Sequence, residues 1–494
     1  MNTNQGLATE HKADKTDSIT ILQLNDLHGY LEPHAEIVWN GDQVEFAQMG
    51  GMARIARAFQ DARRDARGAV VTLDNGDTFH GTYAVMKSRG EALVPIMNAL
   101  QFDAMTAHWE FAYGPAQFKS FTERLVYPML AINCYEIETG RLFFPPYRVI
   151  ERNGVRVGII GIACNIIDKT MPPEYSTGVR FTLGRDELPG WITHLKTEEA
   201  VDVVVVLSHL GFPQDVKLAG EVAGIDVIVS GHTHNRMEVP VIENGTIIFQ
   251  SGCHGSFIGR LDLTLAGGRI TAHQHRLIPI DDRLAPDPHV TALVDKAMSP
   301  HRDFLAQRVG EISAPLHRYH MLHAPMDDLL LDAIADSAAT TLAFSNGWRY
   351  GAPVRPGVVT MNDLWNIVPV DPPVSVVELT GAEIRDMLEA NLERTFARDS
   401  YEQMGGYVKR CRGLTMFVKI ENPTGHRIDR LFIEGQLAEP DRTYRAAFIT
   451  QQGVPKKFGR NRRNLDISAI EAMQRYLARQ KVTVVEPRDT VIAV

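Results

Sequence analysis

Between residues 18 and 255 the sequence repeats one pattern: a short apolar run that breaks off into aspartate, asparagine, histidine and glycine. "SITILQLNDLHG", "AVVTLDNGD", "DVVVVLSHLG", "IDVIVSGHTH" and "TIIFQSGCHG" are all of this kind, and "PMLAINC" is a shorter case. Each reads as a strand running into a polar loop. Helical stretches separate them, such as "GGMARIARAFQDARRDAR", where Ile55 and Phe59 stand at i, i+4. Strands alternating with helices predict an α/β fold. In open sheets of that class, sites lie beyond the carboxyl ends of the strands.

The chain has 494 residues, too many for one ordinary core, so two domains are expected. "DDRLAPDP" (281–288) is a Pro/Asp-rich break, and a helical pattern follows it to about residue 309. The expected division is a disordered tail over 1–17, a first domain over 18–285, a connector helix over 286–310 and a second domain over 311–494. Two hairpins are expected in the first domain, turning at Asn153–Gly154 and at Gly267–Gly268. The second domain mixes helices such as "GAEIRDMLEANLERTF", with Ile384, Leu388 and Leu392 on one face, and strands such as "VVELT" and "LTMFVKI".

Composition narrows the function classes. The chain is 44% hydrophobic and 22% charged, as globular chains are. Its net charge is −9 and no long Lys/Arg block appears, which argues against nucleic acid as a partner. An anionic substrate would need a local positive site. No apolar run approaches the roughly 20 residues that span a bilayer, so no membrane association is expected. The polar opening "MNTNQGLATEHKADKTDS" lacks an apolar core, and a cytoplasmic location is the expectation. Cys134, Cys164, Cys253 and Cys411 are far apart without CxxC spacing and read as buried thiols.

Five strand ends carry metal-ligand residue types: Asp26 and His28 in "NDLH", Asp77 in "NGD", His108 in "AHWE", His209 in "SHLG", and His232 with His234 in "GHTH". Strand residues i and i+2 point to one side, so each close pair is expected to converge on one point. A mixed Asp/His set suits two borderline divalent ions such as Mn²⁺ or Zn²⁺, and a carboxylate such as that of Asp77 can bridge two metals. A lone D-x-H arises often by chance, whereas five such ends in order do not. His273, His275, His301, His317, His320 and His323 lack this context and read as ordinary residues, with His320 and His323 as minor candidates for the interdomain cleft.

These segments resemble the calcineurin-like metallophosphoesterase superfamily and, within it, the 5′-nucleotidase family. The resemblance runs through "GGMARIA" and past the connector. "SNGWRYGAPVRPGVVTMNDLWNIVPVDPPVSVVELTGAEIRDMLE" is similar to the second-domain signature, and "MGGYVKRCRGLTM" to the segment that supplies a stacking aromatic. It implies a four-layer α/β/β/α sandwich holding two metals, followed by a substrate-binding α/β domain, with the site in the cleft between them. By the same match Asp26, His28 and His234 hold one metal, Asp77 bridges, and His108, His209 and His232 hold the other. The implied activity is hydrolysis of phosphate esters, most of all nucleotides or related small phosphates, by a dimetal-held hydroxide.

One segment departs from the family. Where it usually reads Gly-Asn-His-Glu-Phe-Asp, this chain reads Ala107-His108-Trp109-Glu110-Phe111-Ala112. His108 replaces a ligand asparagine. Trp109 and Ala112 replace a His–Asp pair, and an indole N–H has no proton to transfer. The form "HWEF" followed by Tyr-Gly resembles the thiosulfohydrolase branch of the bacterial sulfur-oxidation (Sox) system. That likeness implies an alternative, release of sulfate from a cysteine-bound sulfur-carrier protein. A second alternative is a catalytically weak metal protein that binds a nucleotide or partner. Asp77, His108 and Arg349 are the expected catalytic set, and Arg349, Arg355, Tyr407 and Phe458 the expected substrate contacts, with Trp348 a lesser candidate. His80 is a candidate substitute acid.

Overall fold

The computed structural model describes residues 16–41, 43–485 and 488–494. The first fifteen residues of the expected tail lie outside these, while Thr16 and Asp17 already belong to the first strand rather than to a tail. The first half runs β1 (Thr16–Leu24), α1 (Met52–Asp65), β2 (Val70–Asp74), α2 (Val94–Leu100), β3 (Ala104–Met105), β4 (Tyr147–Arg152), β5 (Val155–Ile162), α3 (Leu188–Thr197), β6 (Val203–Ser208), α4 (Phe212–Glu221), β7 (Val227–Ser230), β8 (Val241–Glu243), β9 (Thr246–Phe249), β10 (Phe257–Ala266) and β11 (Arg269–Pro279). One sheet has the order β11-β10-β1-β2-β3, and the second β8-β9-β7-β6-β5-β4. β1, β2 and β3 are parallel, as are β5, β6, β7 and β9.

Strand periodicity explains the layers. Ile19 and Ile21 of β1 meet Val203, Val205 and Leu207 of β6 in the core between the sheets. Leu22 and Leu24 point the opposite way, onto α1 and α2. Val204 and Val206 pack outward with Leu188 and Ile192 of α3 and Leu218 of α4. Alternate residues of one strand thus enter different cores. The result is the α/β/β/α order. The expected hairpins form: β4 and β5 turn at Asn153–Gly154, and β10 and β11 at Gly267–Gly268. "PMLAINC" forms no long strand; Met129 makes a single bridge to Met105, and only Cys134–Glu136 pairs, with Val179–Phe181. An additional hairpin, His34–Asn40 with Gln43–Met49, precedes α1.

After β11 come α5 (Pro288–Met298), a short helix Arg302–Leu305 and the strand Arg308–Ile312, so the connector is helical only in its first part. The second half runs α6 (Pro325–Ala338), β12 (Leu342–Gly347), β13 (Pro373–Thr380), α7 (Gly381–Phe396), β14 (Tyr407–Arg412), β15 (Thr443–Phe448) and β16 (Arg460–Ser468). The five strands form one sheet in the order β14-β12-β15-β13-β16. α6 packs on one face, and α7 on the other through Ile384, Leu388 and Leu392. Thr380 and Glu383 close the start of α7 as a reciprocal cap. No described helix is long and apolar enough to cross a membrane.

Candidate active site

The seven Asp/His residues leave five parallel strands at one end of the sandwich. Asp26 and His28 follow β1, Asp77 follows β2, His108 follows β3, His209 follows β6, and His232 and His234 follow β7. Asp26, His28, Asp77, His232 and His234 have left-handed backbones, with φ of 46°, 49°, 53°, 73° and 58°. Non-glycine residues adopt this region at a cost, and such strain gathers where surrounding structure enforces it. Convergence therefore comes from tight loops rather than strand alternation. This corrects the strand-alternation expectation for "GHTH": His232 and His234 go to different clusters, the division the family resemblance implies.

One cluster is Asp77, His108, His209 and His232; the second is Asp26, His28 and His234. Within each, one ligand atom per residue lies within 4.8 Å of the others. Asp77 Oδ2 is 3.1 Å from His108 Nδ1, 3.3 Å from His209 Nε2 and 3.9 Å from His28 Nε2, so it stands between the clusters. Asp26 Oδ1 is 3.3 Å from His234 Nε2 and 3.6 Å from His209 Nε2.

Neighbouring groups fix each ligand. His209 Nδ1 meets the Asn75 carbonyl at 2.6 Å, which makes Nδ1 the protonated nitrogen and leaves Nε2 a lone pair. The Trp109 N–H donates to Asp77 Oδ1 at 2.7 Å, and the His232 N–H to Asp26 Oδ2 at 3.0 Å. Glu110 accepts from the N–H groups of Thr78 (2.6 Å) and His108 (2.8 Å), tying the β2 and β3 loops together. Gly76, φ 83°, allows that approach: a Cβ there would lie 2.6 Å from the Thr106 carbonyl oxygen.

The donor set fits divalent cations. Asp26 Oδ1, His28 Nδ1, His209 Nε2 and His232 Nε2 are buried without a hydrogen-bond partner, and His28 Nε2 faces His234 Nε2 at 3.2 Å. Buried polar atoms left this way are expensive unless an ion satisfies them. The electrostatics agree at two of the histidines and differ at two others: against the cost of burial, Asp77 holds His108 well above the ordinary range, and Asp26 with Asp77 raises His209 to about 9. Burial pushes His28 down to about 4 and holds His232 well below the ordinary range, so both are neutral and able to ligate. Against the cost of burial, His108 and His209 hold the Asp77 carboxyl well below the usual range.

The clusters open into a cleft of about 560 Å³ between the halves, within the size range of small-molecule sites. Arg349, Trp348, Tyr407 and Phe458 are among the residues that line it. Arg349 also joins the halves: Nη1 donates to the His232 carbonyl (3.0 Å) and Nη2 to the Gly406 carbonyl (3.1 Å), while Nε has no partner. Its guanidinium lies over the Tyr407 ring at 5.4 Å. Gly405 approaches so closely that a Cβ would lie 2.4 Å from His232 Nε2.

Two expectations fail. Arg355 is exposed in the loop ahead of the strand Gly357–Thr360, donates to the Phe46 carbonyl (3.2 Å) on the early hairpin and does not line the cleft, because its guanidinium is drawn over the Phe46 ring. His80 is buried behind Trp109, their rings 4.7 Å apart; burial pushes it down to about 3, so at neutral pH it is an uncharged imidazole and not an acid. His317, His320 and His323 form a row of rings away from the cleft. Sequence reasoning missed Glu110 and Tyr350, whose ring stacks on His28 at 5.1 Å. It also missed Asn391 and Arg394 on the cleft face of α7, with Lys409 beyond them. The spacing 387, 390, 391, 394 on a predicted helix was the available signal, since it marks one face beside the apolar one.

Residues 309–450 match the 5′-nucleotidase C-terminal domain family. The chain is 24% identical to the protein UshA of Yersinia enterocolitica, over 90% of this chain and 86% of that one. It is 25% identical to the trifunctional nucleotide phosphoesterase YfkN of Bacillus subtilis over 87% of its own length, but spans only 31% of that relative. Among solved structures, the sulfate thiohydrolase SoxB of Thermus thermophilus superposes with a TM-score of 0.90 at 25% identity, covering 96% of each chain. A 5′-nucleotidase precursor of Thermus thermophilus superposes at 0.85 and 25% identity, covering 97% of this chain and 99% of that one. With its buried Asp/His clusters at the strand ends, the chain carries a 5′-nucleotidase-type C-terminal domain over residues 309–450 and is similar over nearly its whole length to the two-domain 5′-nucleotidases and SoxB of the calcineurin-like phosphoesterase superfamily.

Proposed function

We propose that the chain is a metal-dependent hydrolase of phosphate esters that acts on nucleotides or related small phosphates. One observation carries this reading: a single cleft joins the buried Asp/His clusters to an arginine, Arg349, and two aromatic rings, Tyr407 and Phe458. Asp26, His28 and His234 would hold one divalent ion and His108, His209 and His232 the second, with Asp77 shared; Mn²⁺ or Zn²⁺ suits such donors. When bound, two such ions supply Lewis acidity and an activated water at neutral pH.

The chain's own groups do the rest. The Trp109 N–H holds Asp77 in place. Arg349 keeps one N–H, Nε, free for an anion, and its charge needs no proton balance. Tyr407 and Phe458 offer ring faces to a base, a contact worth about 1–3 kcal/mol. No acid stands where the family keeps its His–Asp pair, so substrates whose leaving group needs little protonation are favoured. The test is phosphate release from nucleotides and from a series of aryl phosphates with Mn²⁺ present. A rate that falls steeply with leaving-group pKa supports the reading, and a flat dependence argues against a missing acid.

A second reading has its own support in Trp109 and in the likeness to SoxB: sulfate release from a cysteine-bound carrier. Inactivity on every nucleotide, together with sulfate release from S-sulfonated cysteine peptides, would favour it.

A further inference from the structure

The cleft is more cationic than cleavage of one phosphate requires. Lys169, Arg349, Arg394, Lys409, Lys456 and Lys457 line it, against one carboxylate outside the metal clusters, Asp168. This is a local reversal in a chain of net charge −9. The cations also divide by position. Arg349 sits at the buried metal end through its bond to the His232 carbonyl. Lys169, Arg394, Lys456 and Lys457 are exposed at the mouth.

These four form no ion pair with a described residue. Several second-half arginines are matched, Arg410 with Asp327 at 3.1 Å, Arg412 with Asp332 at 2.7 Å and Arg427 with Glu393 at 2.9 Å. The mouth instead gathers four cations on one cleft with one carboxylate, Asp168, among its lining outside the metal clusters. The mouth is also built from both halves, since Gln452 Nε2 donates to the Thr170 carbonyl, next to Lys169, at 3.3 Å. Below it lies buried Lys409, whose ammonium donates to the Gln452 (2.6 Å) and Gly453 (2.9 Å) carbonyls. Its burial, with Arg394 adding to the effect, lowers it to about 8. Tyr407 and Phe458 line the same cleft.

We propose that the mouth, formed by Lys169, Arg394, Lys456 and Lys457, is a second anion subsite that takes a phosphate carried by the leaving group. The preferred substrates are then nucleotides with a phosphate on the nucleoside in addition to the one cleaved, such as nucleoside 3′,5′-bisphosphates. This rests on the nucleotide-hydrolase reading and deepens it. One phosphate occupies the metal end, the base stacks on the rings, and the second phosphate meets the mouth.

The test separates binding from turnover. Calorimetric binding of AMP and of adenosine 3′,5′-bisphosphate to the full chain is compared at about 50 and about 300 mM salt. The bisphosphate is expected to bind about tenfold tighter at low salt, an advantage that shrinks at high salt and is lost in Lys456→Glu/Lys457→Glu. Equal affinities at low salt, or an advantage that survives the charge reversal, overturn the subsite. So does binding of acidic S-sulfonated peptides with none of either nucleotide, which would assign the mouth to a carrier protein. Phosphate release is measured alongside. Release from AMP without a bisphosphate preference leaves the hydrolase standing and removes the subsite. A bisphosphate preference in binding without release from any nucleotide does the reverse.

Discussion

The metal pole and the substrate wall of the cleft are built on opposite terms. At the pole, six of seven ligands are buried, five hold left-handed backbones, and each is fixed by a neighbouring hydrogen bond or tight loop. At the mouth of the wall, Lys169, Arg394, Lys456 and Lys457 are exposed on two helices and one loop, with no ion pair among the described residues to fix them. A rigid pole sets the chemistry; a loose wall chooses what is brought to it. Variation in substrate is therefore expected to act through the wall and variation in reaction through the pole.

Several experiments break or sharpen that contrast. The largest effect belongs to Asp77→Ala, which removes the carboxylate shared by both clusters. Elemental analysis should show ions lost from the purified protein and hydrolysis should vanish; full metal content with retained activity would refute the shared role. Next is the restored segment, His108→Asn/Trp109→His/Ala112→Asp. It should speed poor leaving groups by about 10²-fold or more, with little change for nitrophenyl esters, if proton donation is what this pole lacks. Tyr407→Ala tests the wall, with KM for nucleotides expected to rise roughly tenfold and much less for glycerol phosphate.

Lys409 gives a pH signature. Burial lowers it from 10.5 to about 8, so between those values the unfolded chain binds more protons than the folded one. Stability from this site therefore rises as pH climbs through that window. The gap in unfolding free energy between wild type and Lys409→Met should move accordingly between pH 7 and pH 9 in urea titrations. The smallest effect is predicted for Arg355→Ala, within about twofold in kcat/KM, because the exposed side chain lies outside the cleft.

The same contrast explains what could be read in advance. The sandwich was legible because strands such as β6, apolar and buried throughout, break off into polar loops between helical stretches, and the hairpin at Asn153–Gly154 because that dipeptide suits its turn. The ligands were legible because tight loops after strands leave few residue types and fixed spacing. Their division into clusters was not legible from spacing alone. His232 and His234 share a strand end, yet in a loop where both backbones are left-handed they enter different clusters. Arg355 misled because an arginine near a motif says nothing of which way its loop faces. Glu110 was overlooked because its work, capping the backbone N–H groups of Thr78 and His108, depends on a partner loop far away in sequence. Lysines 169, 456 and 457 belong to no motif and acquire meaning only once both halves meet.

Gly405 carries a last consequence. Its α-carbon rests against the imidazole nitrogen of His232, with no space for even a methyl group between them. The polypeptide that greets the substrate is thus also a shutter over an ion's binding atom. Were the two halves to draw apart, that nitrogen would meet bulk water, and the rate at which a chelator strips bound ions would time the event.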